Sequence, residues 1–418
     1  FYNEMKATGE ISASDNVTIA GHSLGGFLSQ LLMADHAGEF DAMYTYNAPG
    51  IGGIGMQQLE SKFGITPENI SAANMYNIRG DGVSNIASLG TMLGDIVEVQ
   101  IENDFLPAGD HTIKKLTDSL AVYDTLWQLD NSLDIATFNS LFKQSSNVEN
   151  ASLEDMIDAL QKMFGTSGAS LEIDNREALY STIYAIRDTD TYNALINNAS
   201  IQPSLGISGQ QAATNFGAFL ALHYFSPVYI SGAALEEANP SLYNDWSIGK
   251  FSNQYLEDRS AMLNQMLAAN MQDQDYGNVD SNTFFYDHDT GLSIGVDTNH
   301  NKIVFGSDNA NDLYGGSKND HLYGGGGSDV LSGGAGDDYL EGGDGADILI
   351  AQAGVDRLNG GADADTYQIN LNDFGDAIIA GDTDGGTISL LSGTTFRRAG
   401  LGEANTNGTS LSMSTAIG

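Results

Sequence analysis

The sequence predicts a multidomain chain: a partial α/β layer on a parallel sheet, then a helical segment, then a stack of short parallel β coils. Three observations carry this. Near the N-terminus, short β-branched runs alternate with amphipathic stretches, the pattern of parallel strands joined by helices. The middle of the chain has helical spacing almost throughout. From residue 306 a nine-residue period sets in and holds to residue 368. The expected segments are 1–120 for the α/β layer, 121–281 for a helical extension, 282–305 for a short hairpin connector, 306–368 for the repeat block and 369–418 for a C-terminal β/tail region.

Composition narrows the classes. A chain of 418 residues accommodates two or three domains, and one that opens on Phe1 rather than Met is expected to lack residues upstream. Lys and Arg total 16 against 55 Asp and Glu, a net charge of −39. A field of that sign repels nucleic acid and anionic membrane surfaces and suits multivalent cations. With 41% hydrophobic residues, most of the chain is expected to fold. The absence of cysteine excludes disulfides and thiolate metal sites, so bound metal is the expected stabiliser of a secreted chain. The longest uncharged apolar run, Phe216 to Leu235, contains His223, Ser226, Pro227 and Ser231. It reads as a buried helix broken at Pro227, not as a membrane span.

In the α/β layer the first expected strand is Asn16–Ala20. A helix follows with Leu24, Phe27, Leu28, Leu31 and Leu32 on one face. Ala42–Asn47, Asn74–Arg79 and Ile96–Ile101 are the next strands, each rich in β-branched or aromatic residues. In the helical segment, Ser152 with Asp155 predicts a capping box before Met156, Ile157, Leu160 and Met163, and Glu177–Arg187 and Gln254–Met271 show helical spacing. Thr283–Tyr286, Leu292–Val296 and Lys302–Phe305 are expected short strands around polar turns.

The pattern G-x-S-x-G occurs at Gly21–Gly25 and again at Gly291–Gly295, so context must choose between them. A nucleophilic serine needs a strand before it and a helix after it, so that a strained turn presents Oγ and the helix N-terminus faces a developing oxyanion. Ser23 has both, and Gly21 and Gly25 are expected to let strand and helix approach. Ser293 is followed by Val-Asp-Thr-Asn-His, which is turn chemistry, and is taken as coincidence.

The partners follow from chain order, serine then acid then histidine. Of the seven histidines, His22 precedes the serine. His36 lies thirteen residues down the helix. His288, His300 and His321 fall in turns or the repeat block. His111 follows a strand and a loop and opens a helix, the setting of a catalytic base. His223 is the runner-up, in an apolar helix. Asp81 follows its strand within Arg-Gly-Asp-Gly, at the carboxyl end where open parallel sheets bind ligands. Asp95 and Asp110 are the alternatives. In this reading His111 takes the Ser23 Oγ proton, Asp81 fixes the imidazole, Ser23 forms an acyl-enzyme and the Leu24 N–H is one oxyanion donor.

These stretches resemble a known family. Val17-Thr-Ile-Ala-Gly-His-Ser-Leu-Gly-Gly looks like the elbow of class 3 lipases, and Tyr44-Thr-Tyr-Asn-Ala-Pro-Gly is similar to the strand after its elbow helix. Asn77-Ile-Arg-Gly-Asp-Gly and Gly109-Asp-His-Thr resemble its aspartate and histidine segments. The resemblance covers residues 12 to 125. It implies an α/β-hydrolase fold, lacking the strand that carries the second oxyanion donor, and hydrolysis of acyl glycerols, phospholipids or simpler esters. Lipid or ester is therefore the expected substrate.

The repeat block aligns from Gly306 in nines. Position 6 reads Asn311, Asp320, Asp329, Asp338, Asp347, Asp356 and Asp365; position 8 reads Leu313, Leu322, Leu331, Leu340, Leu349, Leu358 and Tyr367. This G-G-x-G-x-D-x-U-x register resembles the haemolysin-type (RTX) calcium β-roll repeat. Two nonapeptides make one coil, so like turns recur every eighteen residues and stack about 4.8 Å apart. Calcium takes oxygen ligands at about 2.4 Å, so one ion midway between adjacent turns reaches both. The expected stacks are Asp320, Asp338 and Asp356 on one side and Asn311, Asp329, Asp347 and Asp365 on the other, with the leucines inward. Asn311 without a carboxylate, Lys318 at a glycine position and Ala351-Gln352 in place of Gly-Gly mark weaker sites. The block holds 12 acidic and 2 basic residues, so without calcium it is expected to be unfolded. The resemblance implies a secreted protein that leaves through one-step secretion machinery and folds on external calcium. A calcium-binding surface or adhesin-type protein with a vestigial hydrolase segment, and a phospholipase, are the competing readings.

Overall fold

A computed structural model describes residues 2–12, 14–36, 39–48, 74–80, 94–102, 113–146, 151–166, 168–271, 282–370, 378–379, 386–392 and 395–400. The chain divides into two compact units. The first spans Phe1–Phe251 with Asn270–Gln274, and the second spans Ser252–Ala269 with Asp275–Gly418.

The first unit opens with helix α1 (Tyr2–Thr8) and strand β1 (Thr18–His22), followed by helix α2 (Leu24–Asp35). Strands β2 (Ala42–Tyr46), β3 (Met75–Gly80) and β4 (Asp95–Val99) complete a four-stranded sheet of order β1-β2-β3-β4. Every pairing in it is parallel, with His22 opposite Tyr46 and Tyr46 opposite Ile78. The carboxyl ends of β1, β2 and β3 therefore lie side by side. Met33, Ala34, Phe40, Met43 and Met75 form the buried core against this sheet.

Helix α2 corrects one expectation. Its buried residues are Gly26, Ser29, Gln30, Met33 and Ala34, while Leu24 and Leu28 are 66% and 56% exposed. Gly26, Ser29 and Ala34 on the buried side let strand and helix pack closely, and Phe27, Leu31 and Leu32 pack half-buried against the core. The leucines at i and i+4 turn outward.

Helices α3 (Ile113–Leu129), α4 (Ile135–Ser145), α5 (Ser152–Met163), α6 (Arg176–Arg187) and α7 (Asp190–Leu195) follow. They bury Leu126, Phe138, Leu141, Ile157, Leu160 and Ile186 among one another. The capping box does not form: Ser152 is already helical, Ala151 is the N-cap, and no side chain caps the helix. A two-stranded antiparallel ribbon, β5 (Ser200–Pro203) with β6 (Val228–Ser231), interrupts the expected all-helical extension. Helices α8 (Gly209–Thr214) and α9 (Phe216–His223) connect its strands. The apolar run is thus a buried helix followed by a strand; Pro227 precedes β6 rather than kinking one helix. Helices α10 (Ala234–Ala238) and α11 (Pro240–Ser247) close the unit. Among the described residues no helix is long and apolar enough to cross a membrane.

The second unit begins with helix α12 (Asn253–Met271) and continues as two facing parallel sheets. One carries β10 (Asp312–Gly316), β12 (Val330–Gly334), β14 (Ile348–Ala351), β16 (Thr366–Asn370), β18 (Thr387–Ser392) and β19 (Thr395–Gly400), in that order. The other runs β17 (Ile378–Ile379), β15 (Arg357–Ala362), β13 (Tyr339–Asp344), β11 (His321–Gly326), β9 (Asn301–Phe305), β7 (Thr283–Asp287) and β8 (Ser293–Ile294). The eighteen-residue register is strict through the repeats: Leu313 faces Leu331, Leu331 faces Leu349, Leu322 faces Leu340 and Leu340 faces Leu358. These leucines, with Val304, Tyr367 and Ile388, are the core between the sheets. A parallel β-roll is the result.

The roll is longer than the repeat block. β7 pairs in parallel with β9, Thr283 opposite Asn301, which is the same eighteen-residue step. Within residues 282–305, β7 and β8 form an antiparallel hairpin, and β7 and β9 continue a sheet of the roll. At the far end Tyr367 pairs with Ile388 and Leu358 with Ile379, so the tail adds one coil of twenty-one residues. Each sheet ends on one side in an antiparallel strand, β8 against β7 and β19 against β18.

Candidate functional site

Ser23 links β1 to α2 with φ +53° and ψ −122°. An L residue held there carries strain of about 1–3 kcal/mol, which survives only where neighbours over-determine it. The neighbours do so here. The Ser23 N–H donates to Tyr46 O at 3.1 Å, and Phe27 N–H donates to Ser23 O at 3.1 Å as the first helical bond. A Cβ at Gly21 would lie 2.6 Å from the Gly25 carbonyl carbon and from Ser29 Oγ; one at Gly26 would lie 2.5 Å from the Ala48 Cβ. Gly21 and Gly26 thus permit the close approach. A Cβ at Gly25 would meet open space. Its contribution is the backbone against which Gly21 packs, which corrects the expected role of its missing side chain.

Around this bend the carboxyl ends of the strands are tied together. Asn47 follows β2 with φ +45°. Its N–H donates to Ile78 O at 2.9 Å and its Oδ1 accepts the Gly80 N–H at 2.9 Å. Asn47 is fully buried, and its Nδ2 has no hydrogen-bond partner among the described residues. Sequence reasoning did not single out Asn47; an asparagine directly after a strand, tolerant of positive φ, was the available signal. Beneath it, Thr45 donates to Asn77 Oδ1 at 2.7 Å, both side chains buried.

Of the other expected catalytic residues, Asp81 and His111 lie outside the described residues, as does Asp110. Asp95 starts β4, at the opposite end of the sheet from Ser23. Leu24 opens α2, immediately after the bend. His223 ends α9, stacked on Phe219 at 5.8 Å and edge-on to Tyr224 at 4.7 Å. Ser293, in β8, pairs antiparallel with Tyr286, and no helix follows it.

The repeat block builds a second arrangement. Each position-6 aspartate Oδ1 accepts the backbone N–H of the residue eighteen earlier. Asp320 N–H donates to Asp338 at 2.9 Å and Asp338 N–H to Asp356 at 3.0 Å. On the other side Asn311, Asp329 and Asp347 N–H donate to Asp329, Asp347 and Asp365 at 2.6, 2.8 and 2.9 Å. All six aspartates are buried. The second oxygens of Asp320, Asp329, Asp338 and Asp347 are buried and accept no hydrogen bond. Burial pushes Asp329 up to about 6 and Asp338 and Asp347 up to about 7, and it raises Asp320.

The glycines at position 1 make room for these carboxylates: a Cβ at Gly333, Gly342 or Gly360 would collide with the aspartate of its own repeat. At position 4, Gly336 has φ +129°, and Asp363 holds φ +72° without being glycine. Tyr367, which stands where leucine is usual, is satisfied because its hydroxyl accepts the Gly360 N–H at 2.9 Å.

Residues 305–340 and 332–367 match the family model of the RTX calcium-binding nonapeptide repeat (4 copies). This block binds calcium. No curated protein and no solved structure matches the chain. RTX repeats are typical of secreted proteins.

The residues of the RTX block fit calcium on their own geometry. A buried carboxylate oxygen without a hydrogen-bond donor, repeated on successive coils, is costly without a cation and is the oxygen donor a hard cation takes. Three positions depart from this. Asn311 supplies an amide oxygen that accepts Ser307 N–H at 2.7 Å. Lys318 occupies a glycine position, and Ala351 brings a Cβ to the place that glycine clears beside Asp347 or Asp365 in neighbouring repeats.

Proposed function

We propose that the chain is a secreted serine carboxylester hydrolase, a lipase or esterase, whose C-terminal RTX module folds on calcium. The observation that carries the hydrolase reading is the Ser23 backbone, φ +53° and ψ −122°, between a parallel strand and a helix. A helix N-cap serine has no need of that strain, since caps sit in the extended region. A nucleophile elbow does need it.

The roles follow from the sheet. Ser23 attacks the ester carbonyl and becomes acylated. His111 takes the Oγ proton and returns it to the leaving alcohol. Asp81 orients the imidazole and stabilises its cation. Asp81 follows Gly80, the last residue of β3, directly in the sequence. The Leu24 N–H, first in α2, donates to the developing oxyanion with the helix dipole behind it. Leu24 and Leu28, exposed beside Ser23, supply an apolar surface suited to an acyl chain. Asp320, Asp329, Asp338, Asp347, Asp356 and Asp365 hold calcium, with Asn311 at the weaker end of the stack. The ion neutralises carboxylates that otherwise repel across adjacent coils.

Replacing Ser23 by Ala in the full chain tests the enzyme reading. Hydrolysis of a short-chain p-nitrophenyl ester in calcium is expected to fall by at least about 10³-fold. Unchanged hydrolysis ends the lipase reading and leaves a calcium-binding RTX protein.

A further inference from the structure

Helix α12 buries charge as well as apolar surface. Asp258, Arg259 and Ser260 are 6%, 4% and 5% exposed, together with Leu256, Met262, Leu263 and Leu267. Asp258 and Arg259 find their partners on different strands of the roll. Arg259 pairs with Asp287 at the end of β7, and its guanidinium lies 4.7 Å from the Phe305 ring of β9. Tyr255 sits edge-on to Phe305 and to Tyr323, at 5.5 and 5.3 Å. The Asp258 carboxylate lies 2.6 Å from His321 Nδ1 on β11 and accepts the Tyr323 hydroxyl. Ser252, just before the helix, donates to Glu341 Oε2 on β13 at 2.6 Å, where the Tyr339 hydroxyl also donates at 2.7 Å. One helix thus engages β7, β9, β11 and β13, four consecutive strands of one sheet.

Those partners exist as a surface only when the coils are stacked. Phe305, Tyr323 and Glu341 share a face because they recur every eighteen residues, and the stacking that aligns them is the stacking that aligns the aspartates. Without it, Asp258 and Arg259 lose the groups that make their burial tolerable, and the helix loses the tertiary packing from which most helical stability in proteins comes. We propose that α12 belongs to the calcium-folded module. It is a strap that forms only on stacked coils, and it carries the calcium response upstream of the RTX repeats to residue 252. The proposal rests on calcium being what stacks the coils.

Hydrogen exchange of the full chain, in millimolar calcium and after chelation, reads the two parts separately. Amides of 253–269 and of 311–365 are expected to be protected in calcium and to lose protection together, at the same free calcium. Asp258→Asn, which keeps the shape and removes the charge, is expected to raise the calcium midpoint of both sets roughly tenfold. If 253–269 stays protected while 311–365 exchanges, the strap is an independent helix and the proposal fails. If neither set responds to chelation, the premise that calcium folds the roll fails with it. If Asp258→Asn moves neither midpoint, the contact does not couple helix to roll, and the proposal is overturned even though the calcium response stands.

Discussion

At the scale of single residues, what is stored is strain and unmet charge. Ser23 is forced through an unfavourable bend by Gly21, Gly26 and the Tyr46 carbonyl. Asp338 and Asp347 are forced into burial with one oxygen bare. The glycine that makes room for each such carboxylate is as necessary as the carboxylate. Gly342→Ala puts a Cβ where the Asp347 carboxylate lies, and it is expected to raise the calcium needed to fold the roll several-fold, read by circular dichroism during a calcium titration. An unchanged midpoint means that carboxylate can move aside freely.

A second buried carboxylate belongs to the first unit. Glu102 is 6% exposed and accepts the Leu153 N–H at 3.0 Å. Burial, and then the neighbouring Glu154, push it up to about 8. Glu154 lies in the first turn of α5, where the helix dipole favours its anion, so Glu102 is the one that keeps the proton. A folded value above the ordinary 4.5 means the folded state holds a proton that the unfolded state releases. The stabilisation is full below pH 4.5 and is lost as pH rises towards about 8. Glu102→Gln should flatten that decline and stabilise the unit at pH 9 by at least about 1 kcal/mol, the worth of one pKa unit. Trp127 and Trp246, both in this unit, report its melting. An equally steep pH dependence in the variant would rule the pair out as its source.

At the scale of elements, legibility followed how local the cause is. The RTX coils could be read from sequence because each nonapeptide position serves one fixed purpose, as turn, carboxylate or inward leucine. The elbow could be read because strand, bend and helix are contiguous. β7 could not be read as part of the roll. It carries no consensus glycines and joins the sheet only through the eighteen-residue register with β9. The inward face of α2 was read in part: Phe27, Leu31 and Leu32 pack against the core, but Leu24 and Leu28 turn outward where Gly21 and Gly26 let strand and helix approach. The buried side of α12 was invisible for a related reason: the partners of Asp258 and Arg259 lie 28 to 65 residues away. Asp81 and His111, expected after a strand and before a helix, lie outside the described residues.

At the scale of the whole molecule, one quantity joins the two halves of the account. A net charge of −39 without a single cysteine makes the chain a poor candidate for folding by disulfide and a good one for folding by cation. The roll's thin leucine core buries little per residue. The buried aspartates oppose folding until an ion neutralises them. The repeat block is therefore expected to unfold where calcium is scarce and to fold where it is plentiful.

Covalent labelling tests the central claim most directly. A fluorophosphonate, offered to the full chain in millimolar calcium and followed by peptide mass spectrometry, should leave one phosphonyl adduct, on Ser23, and none on the Ser23→Ala protein. Absence of an adduct at Ser23, or labelling at Ser293 instead, would contradict the account.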